Sequence, residues 1–301
     1  MAQRMVRFTK AHGLGNDFLL VDAGAVADLP PDLLVRQICD RHTGVGADGL
    51  VILGPSASAD ATFRIYNSDG SEATLSGNAI QCAAALLVAR CDASGRKTPS
   101  RIKLDTRVGL RTLHFLERRG TSWIFRTEIG KPGFAALGVP FRPQQPLREP
   151  IVDFPLPVGD AILPVTVLWM GNPQCIVILP PDSELDWMAV GAEIERHPFF
   201  PNRTNVGFVR MRGRDEIEAR FWERGAGHTL ASGTGSSACA VAAHLAGKVG
   251  RHVTVQLERG SLDIHWRDDD MVELIGPAEI TAEGEFHWHE ANITIPLERA
   301  R

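Results

Sequence analysis

Two stretches of the chain, TLSGNAIQCAAALLVA (74–89) and TLASGTGSSACAVAAHLA (229–246), set out the same chemistry twice. Each runs Thr-Leu, then Ser-Gly and a small polar residue, then an alanine-rich apolar segment. A helix that begins at Gly77 or Gly233 leaves its first backbone N–H groups unpaired at the positive end of its dipole, and glycine lets an anion approach them closely. Gly77-Asn78 and Gly233-Thr234 are therefore two cradles of a size suited to a carboxylate. For either turn alone the plainer explanation is N-capping by Ser76 or Ser232. One copy in each half of the chain, as duplication of a unit would give, favours a ligand shared between them.

Other residues that bind small zwitterions recur in turn-like settings: Asn16 in HGLGNDF, Asn67 in RIYNSDG, Asn172 in WMGNPQC and Asn205 in NRTNVGF. Singly, asparagine beside glycine or proline is turn chemistry. Repeated at strand ends, such amides bind carboxylate and ammonium without adding charge. Glu223 and Arg224 add an acid to accept from an amine and a guanidinium to fork a carboxylate, against the alternative of a surface ion pair. His228, four residues before Ser232, is placed to cap or polarise that hydroxyl, or simply to sit exposed in a glycine-rich turn. GTGSSA (233–238) also fits G-x-G-x-x-A, with Glu258 at the distance of a ribose-binding acid. That fingerprint must follow its strand directly, and RGAGHTLAS intervenes, so a nucleotide site is rejected. No G-x-S-x-G elbow is present. His287 and His289 lie two apart on an expected strand and so share a face, but no third ligand is evident, so a polar face is expected rather than a metal site.

These residues need a scaffold of strands. MVRFTKAH (5–12), DFLLVDA (17–23), ATFRIYN (61–67), RIKLDTR (101–107), LRTLHFLE (110–117) and SWIFRTEI (122–129) alternate with period two. Further strands are expected near 161–169, 174–179, 204–211, 215–223, 251–258, 260–266 and 271–276. Helices are expected at 31–42, 78–91, 183–195 and 233–248. The proline-rich stretch 130–150 reads as the crossing between two units. The fold class expected is α+β, two pseudo-symmetric lobes, each a curved, mainly antiparallel sheet wrapped around a central alanine-rich helix. The 301 residues suffice for full cores, with 44% hydrophobic and 23% charged residues. A net charge of −4 with both signs interspersed gives no footprint for nucleic acid or an anionic membrane, so a small molecule is the expected partner. Five scattered cysteines without C-x-x-C spacing argue against disulfides or zinc and for a cytoplasmic setting. Neither a signal peptide nor a membrane-spanning apolar run is evident.

Taken in order, FTKAHGLGNDFLLVD, DRHTGVGADGL, RIYNSDGSEA, GNPQC, TNVGF, WERGAGHT and SGTGSSA resemble the motifs of diaminopimelate epimerases along nearly the whole chain. The resemblance implies a cofactor-independent isomerase of lysine and cell-wall precursor synthesis, interconverting LL- and meso-diaminopimelate between two closing lobes. It implies lobes at 1–132 and 133–284, with roughly 285–301 returning to the first, and leaves room for a homodimer. Substrate contacts then fall on Asn16, Asn67, Gly77, Asn78, Asn172, Asn205, Glu223, Arg224, Gly233 and Thr234. The family's catalytic pair is a cysteine at each turn, one thiolate and one thiol. Here those positions hold Ser76 and Ser232. A thiol starts near pKa ~8.5, whereas an alkanol starts close to the ~15.7 of water, so a serine alkoxide base costs on the order of 10 kcal/mol before rescue. Gln174 stands where the family often has histidine, His228 where it often has glutamate, and Gly49 where some members present a side chain to substrate. The serines therefore admit two further expectations: a lyase, dehydratase or other isomerase acting on a related amino acid, and an amino-acid-binding protein without catalysis.

Overall fold

The computed structural model describes residues 4–73, 75–134, 138–144 and 146–290. The first half of the chain forms β1 (Arg4–Gly13), β2 (Asn16–Asp22), α1 (Ala23–Val26), α2 (Pro31–Ile38), β3 (Gly49–Gly54), β4 (Ala61–Asn67), β5 (Glu72–Ala73), α3 (Gly77–Ala93), β6 (Arg101–Thr106), β7 (Gly109–Arg119) and β8 (Ser122–Gly130). The second half forms β9 (Ile151–Val158), β10 (Ala161–Trp169), β11 (Pro173–Ile178), α4 (Trp187–Glu195), β12 (Asn205–Met211), β13 (Glu216–Glu223), β14 (Gly227–Thr229), α5 (Gly233–Leu245), β15 (His252–Leu257), β16 (Gly260–Trp266) and β17 (Val272–Trp288).

Strand pairing closes around two helices. From β1 the pairings run through β2, β3, β4, β6, β7, β8 and β17 back to β1, with β5 a short flap on β4. Inside lies α3, whose Ala79, Ile80, Cys82 and Ala83–Ala85 are buried against Phe18, Phe63 and Phe125. The second series runs β10, β11, β12, β13, β15, β16, β17, with β14 a flap on β13. It encloses α5, and an isolated bridge between Gly133 and Trp169 ties the chain after β8 to the end of β10. Most pairings are antiparallel, and the parallel ones fall at equivalent places: β2 with β3 and β4 with β6, β11 with β12 and β13 with β15.

Alanine dominates the two central helices because a helix buried on every side must let strands approach closely. Gly207 in β12 shows how closely, since a Cβ there would lie 2.6 Å from Cys239 Sγ of α5. Cys82, Cys175 and Cys239 are buried packing residues.

Several boundaries differ from expectation. Strands at 49–54 and 151–158 form where none was expected. The continuous apolar run of β3 is buried on both faces and shows no alternation. Strand β9 carries Pro155 and Pro157 at outward positions and pairs only with β10, an edge that tolerates missing N–H groups. The helix expected at 31–42 stops at Ile38, that at 183–195 begins at Trp187, and that at 233–248 ends at Leu245. The strand expected at 271–276 continues to Trp288: Val272–Glu279 pairs with β8, and Ile280–Trp288 with β1. His287 lies on it and His289 beyond its end, so the two do not share a strand face. Of the expected return over 285–301, residues 291–301 lie outside the described residues. Among the described residues no helix is long and apolar enough to cross a membrane, and no cluster of three His, Cys, Asp or Glu is placed to hold a metal.

Candidate active site

The N-termini of α3 and α5 meet. A Cβ built on Gly77 would lie 3.9 Å from the Cα of Gly233, and one built on Gly233 would lie 3.8 Å from the Cα of Gly77. Both helices open with an extended serine N-cap: Ser76 Oγ accepts from Ala79 N at 3.3 Å, and Ser232 Oγ accepts from Gly235 N at 3.1 Å. Two dipole ends with free N–H groups therefore converge on one point, as a carboxylate site requires.

The two serines differ in what stands behind them. Ser232 is buried, and its hydroxyl donates to Glu223 Oε1 at 2.6 Å. Glu223 ends β13, partly buried, with its carboxyl turned toward Ser232. Burial raises that carboxyl above the usual carboxylate range; the Ser232 hydrogen bond works against the rise, and the charge of Asp48 adds to it. Ser76 is partly exposed, and among the described residues no carboxylate or imidazole hydrogen-bonds it.

The amides surround this pair in two groups. On the α3 side, Asn78 Nδ2 donates to Asn16 Oδ1 at 3.0 Å, and Asn16 Nδ2 donates to Asp48 Oδ2 at 2.7 Å. Arg41 Nη2 bridges Asp48 Oδ1 at 2.8 Å and Asp17 Oδ1 at 2.7 Å, while Lys10 Nζ lies 3.1 Å from Asp17 Oδ2. Burial pushes the Asp17 carboxyl up, but Arg41 and Lys10 together hold it below its ordinary value. On the α5 side, Gln174 Nε2 donates to Asn172 Oδ1 at 2.6 Å, and both amides lie 3.5 Å from Thr234 Oγ1. Parallel register sets Asn205 beside Gln174, and Asn205 Oδ1 accepts from Arg224 N at 2.8 Å. Gln174 Oε1 is buried with no donor in reach.

Glu223 and Arg224 do not form the surface ion pair weighed above, because Arg224 Nη1 donates to Asn202 O at 3.0 Å and Glu223 faces inward. Asn67 ends β4 apart from the other amides, donating to Ser71 Oγ at 3.0 Å. It sits opposite Gly49, where a Cβ would lie 2.5 Å from Tyr66 O. His228 does not polarise Ser232. It pairs across β13 with Trp222, the neighbour of Glu223, and successive strand residues face opposite ways. Its Nε2 meets Glu258 Oε1 at 2.9 Å and its ring stands edge-on to Trp187. Sequence reasoning missed Asp48, Asp17, Arg41 and Lys10, which brace the amides; the acid in GVGADGL was the one available signal.

The family model described as "Diaminopimelate epimerase" matches residues 8–132 and 166–281, passing over the proline-rich crossing and β9. A diaminopimelate epimerase of Pelotomaculum thermopropionicum is 43% identical over 94% of this chain and 99% of its own length. Those of Desulforudis audaxviator and Nostoc punctiforme are 42% and 39% identical over 93% and 91% of this chain, and over 99% and 97% of their own lengths. Among solved structures, a hydroxyproline epimerase from Agrobacterium vitis aligns over 96% of this chain and 94% of its own at a TM-score of 0.63 and 16% identity. A phenazine biosynthesis protein of the PhzF family from Bacillus anthracis aligns over 95% and 99% at 0.63 and 14%, and a methylitaconate-delta-isomerase over 97% and 100% at 0.59 and 16%. At that identity the structures share the fold. The family model and the curated relatives establish that this chain belongs to the diaminopimelate epimerase family of isomerases.

Proposed function

We propose that this chain binds diaminopimelate, or an α-amino acid closely related to it, with its α-carboxylate between the N-termini of α3 and α5, and that it labilises the α-hydrogen. The observation that carries this is the meeting of Gly77 and Gly233 under two serine N-caps. An α-hydrogen is weakly acidic, and converging N–H groups stabilise the charge that develops on the carboxylate as it leaves. Asn16, Asn78, Asn172 and Thr234 lie around that point. Asn67, Asn205 and Arg224 serve the far end of the substrate, and the orphaned Gln174 Oε1 suits an ammonium donor. Residues 1–132 with the β17 return, and 133–284, act as the two lobes about this site. Five free cysteines fit a cytoplasmic enzyme.

The test uses the glycines. Gly77→Ala has only the Gly233 Cα within 4 Å of its new methyl, at ordinary contact distance, so the fold should persist or gain slightly from helix propensity. The methyl nevertheless occupies the gap between the cradles. Calorimetric affinity for LL- and meso-diaminopimelate should fall by roughly tenfold or more, about 1.4 kcal/mol, with an unchanged melting temperature. Unchanged affinity would remove the carboxylate from this point.

A further inference from the structure

The two faces of the site are chemically unequal. Behind Ser232 stands a partly buried carboxyl, its Oε1 accepting from that hydroxyl at 2.6 Å. Among the described residues Ser76 has only the Ala79 N–H, and the side chains beside the cradles, Asn16, Asn78, Asn172 and Gln174, are amides that take up no proton. The nearest other acid, Asp48, has its oxygens engaged by Asn16 Nδ2, Asp17 N and Arg41 Nη2.

Resting on the reading that the amino acid binds here, we infer that the site holds one proton-transferring unit, Ser232 backed by Glu223, and exchanges the α-hydrogen of one configuration with solvent without inverting the carbon. As the substrate C–H bond breaks, Ser232 Oγ gains that proton while its own passes to Glu223 Oε1. The C–H electron pair moves into the substrate carboxylate, held by the N–H groups of α3 and α5. No free alkoxide forms, because Glu223 takes up the displaced proton. While the carbanion persists the proton on Ser232 Oγ exchanges with water entering the site, and reversal then returns a solvent-derived proton to the same face. Inversion needs Ser76 to protonate the opposite face, and among the described residues no acid backs that hydroxyl, so an alkoxide must form before water reprotonates it. The relation is a division of labour: α5 moves the proton and α3 holds charge. Glu223 acts through Ser232 and is a positioning residue for the transfer; Asp48 is the charged group that faces it.

The full chain is incubated in D2O with LL- and with meso-diaminopimelate, binding is followed by calorimetry, and the configuration of each deuterated carbon is determined. Deuterium is expected at carbons of one configuration only, without interconversion. Glu223→Gln should keep affinity within severalfold yet slow exchange roughly 100-fold or more, and Glu223→Asp should recover part of it. Ser76→Cys, which puts a thiol on the bare face, should bring interconversion. Inversion keeping pace with exchange, deuterium at both configurations, exchange by Glu223→Gln at the unaltered rate, or binding with no exchange would each overturn the inference and leave the binding site standing. Failure of either isomer to bind would instead sink the reading beneath it.

Discussion

Partial burial of the Glu223 carboxyl strips it of water more than the hydroxyls of Ser232 and Thr229 compensate, and an ionised carboxylate so placed opposes folding. Its folded pKa lies above the unfolded value, so at a pH between the two the folded chain holds a proton that the unfolded chain has released, and above both the carboxyl is ionised in either state. Stability is therefore greater below the unfolded pKa and is lost as pH rises through the folded one. Glu223→Gln keeps an acceptor for Ser232 and removes the charge. It should melt above the unaltered chain at pH 8, by about 2 °C for a change on the order of 1 kcal/mol, and the gap should close toward pH 4 in thermal unfolding. Equal melting temperatures at pH 8 would mean that Glu223 is not strained by its burial. Asp17 has the opposite sign: Arg41 and Lys10 lower it, and its contribution disappears as pH falls through its folded pKa.

Strand β12 and helix α5 touch where Gly207 faces Cys239. A methyl at Gly207 would lie 2.6 Å from Cys239 Sγ and 2.8 Å from Ile176 Cδ1, and both are fully buried. Gly207→Ala should destabilise by about 1–3 kcal/mol through overpacking, and Cys239→Ala in the same chain should return part of it, giving a measurable coupling in a double-mutant cycle by denaturant unfolding. Such contacts explain what the sequence did and did not disclose. Alternating strands such as β6 and β8, and the alanine-rich α3 and α5, were legible because period and small-residue content record burial directly. The doubled turns pointed to Ser76 and Ser232 for the same local reason. Strand β3 was lost because burial on both faces erases alternation, and β9 because its two prolines read as breakers, although an edge strand tolerates their missing N–H groups. The Ser232–Glu223 bond was missed, with His228 weighed as one alternative in its place, because the pair lies nine positions apart across the β14 flap and strand register decides which side chain faces inward.

At the scale of the molecule, the repeated order of parallel and antiparallel pairings in the two strand series is the structural counterpart of the doubled turn, and β17 runs through both. The series also interlock at the turn between β1 and β2. Leu14 there has a φ of 53°, a left-handed backbone uncommon for leucine, and its side chain is buried in the core that contains α5. Its Cδ2 lies 2.9 Å from where a Cβ on Gly260 would be, and a Cβ on Gly15 would meet Arg259 and Leu230. A tip of one series is thus seated on the other, two residues before Asn16. Leu14→Ala removes that anchor and keeps the backbone strain; Leu14→Gly removes the same anchor and relieves about 1 kcal/mol of strain. If the anchor sets the cradle geometry, both variants should bind diaminopimelate up to about tenfold more weakly, the equivalent of 1.4 kcal/mol, and amides at 13–16 and 229–232 should exchange faster. Stability should separate them, with Gly melting above Ala. Affinity that follows the melting temperature, with Gly binding better than Ala, would instead assign Leu14 to general stability and leave the alignment of the cradles to β17.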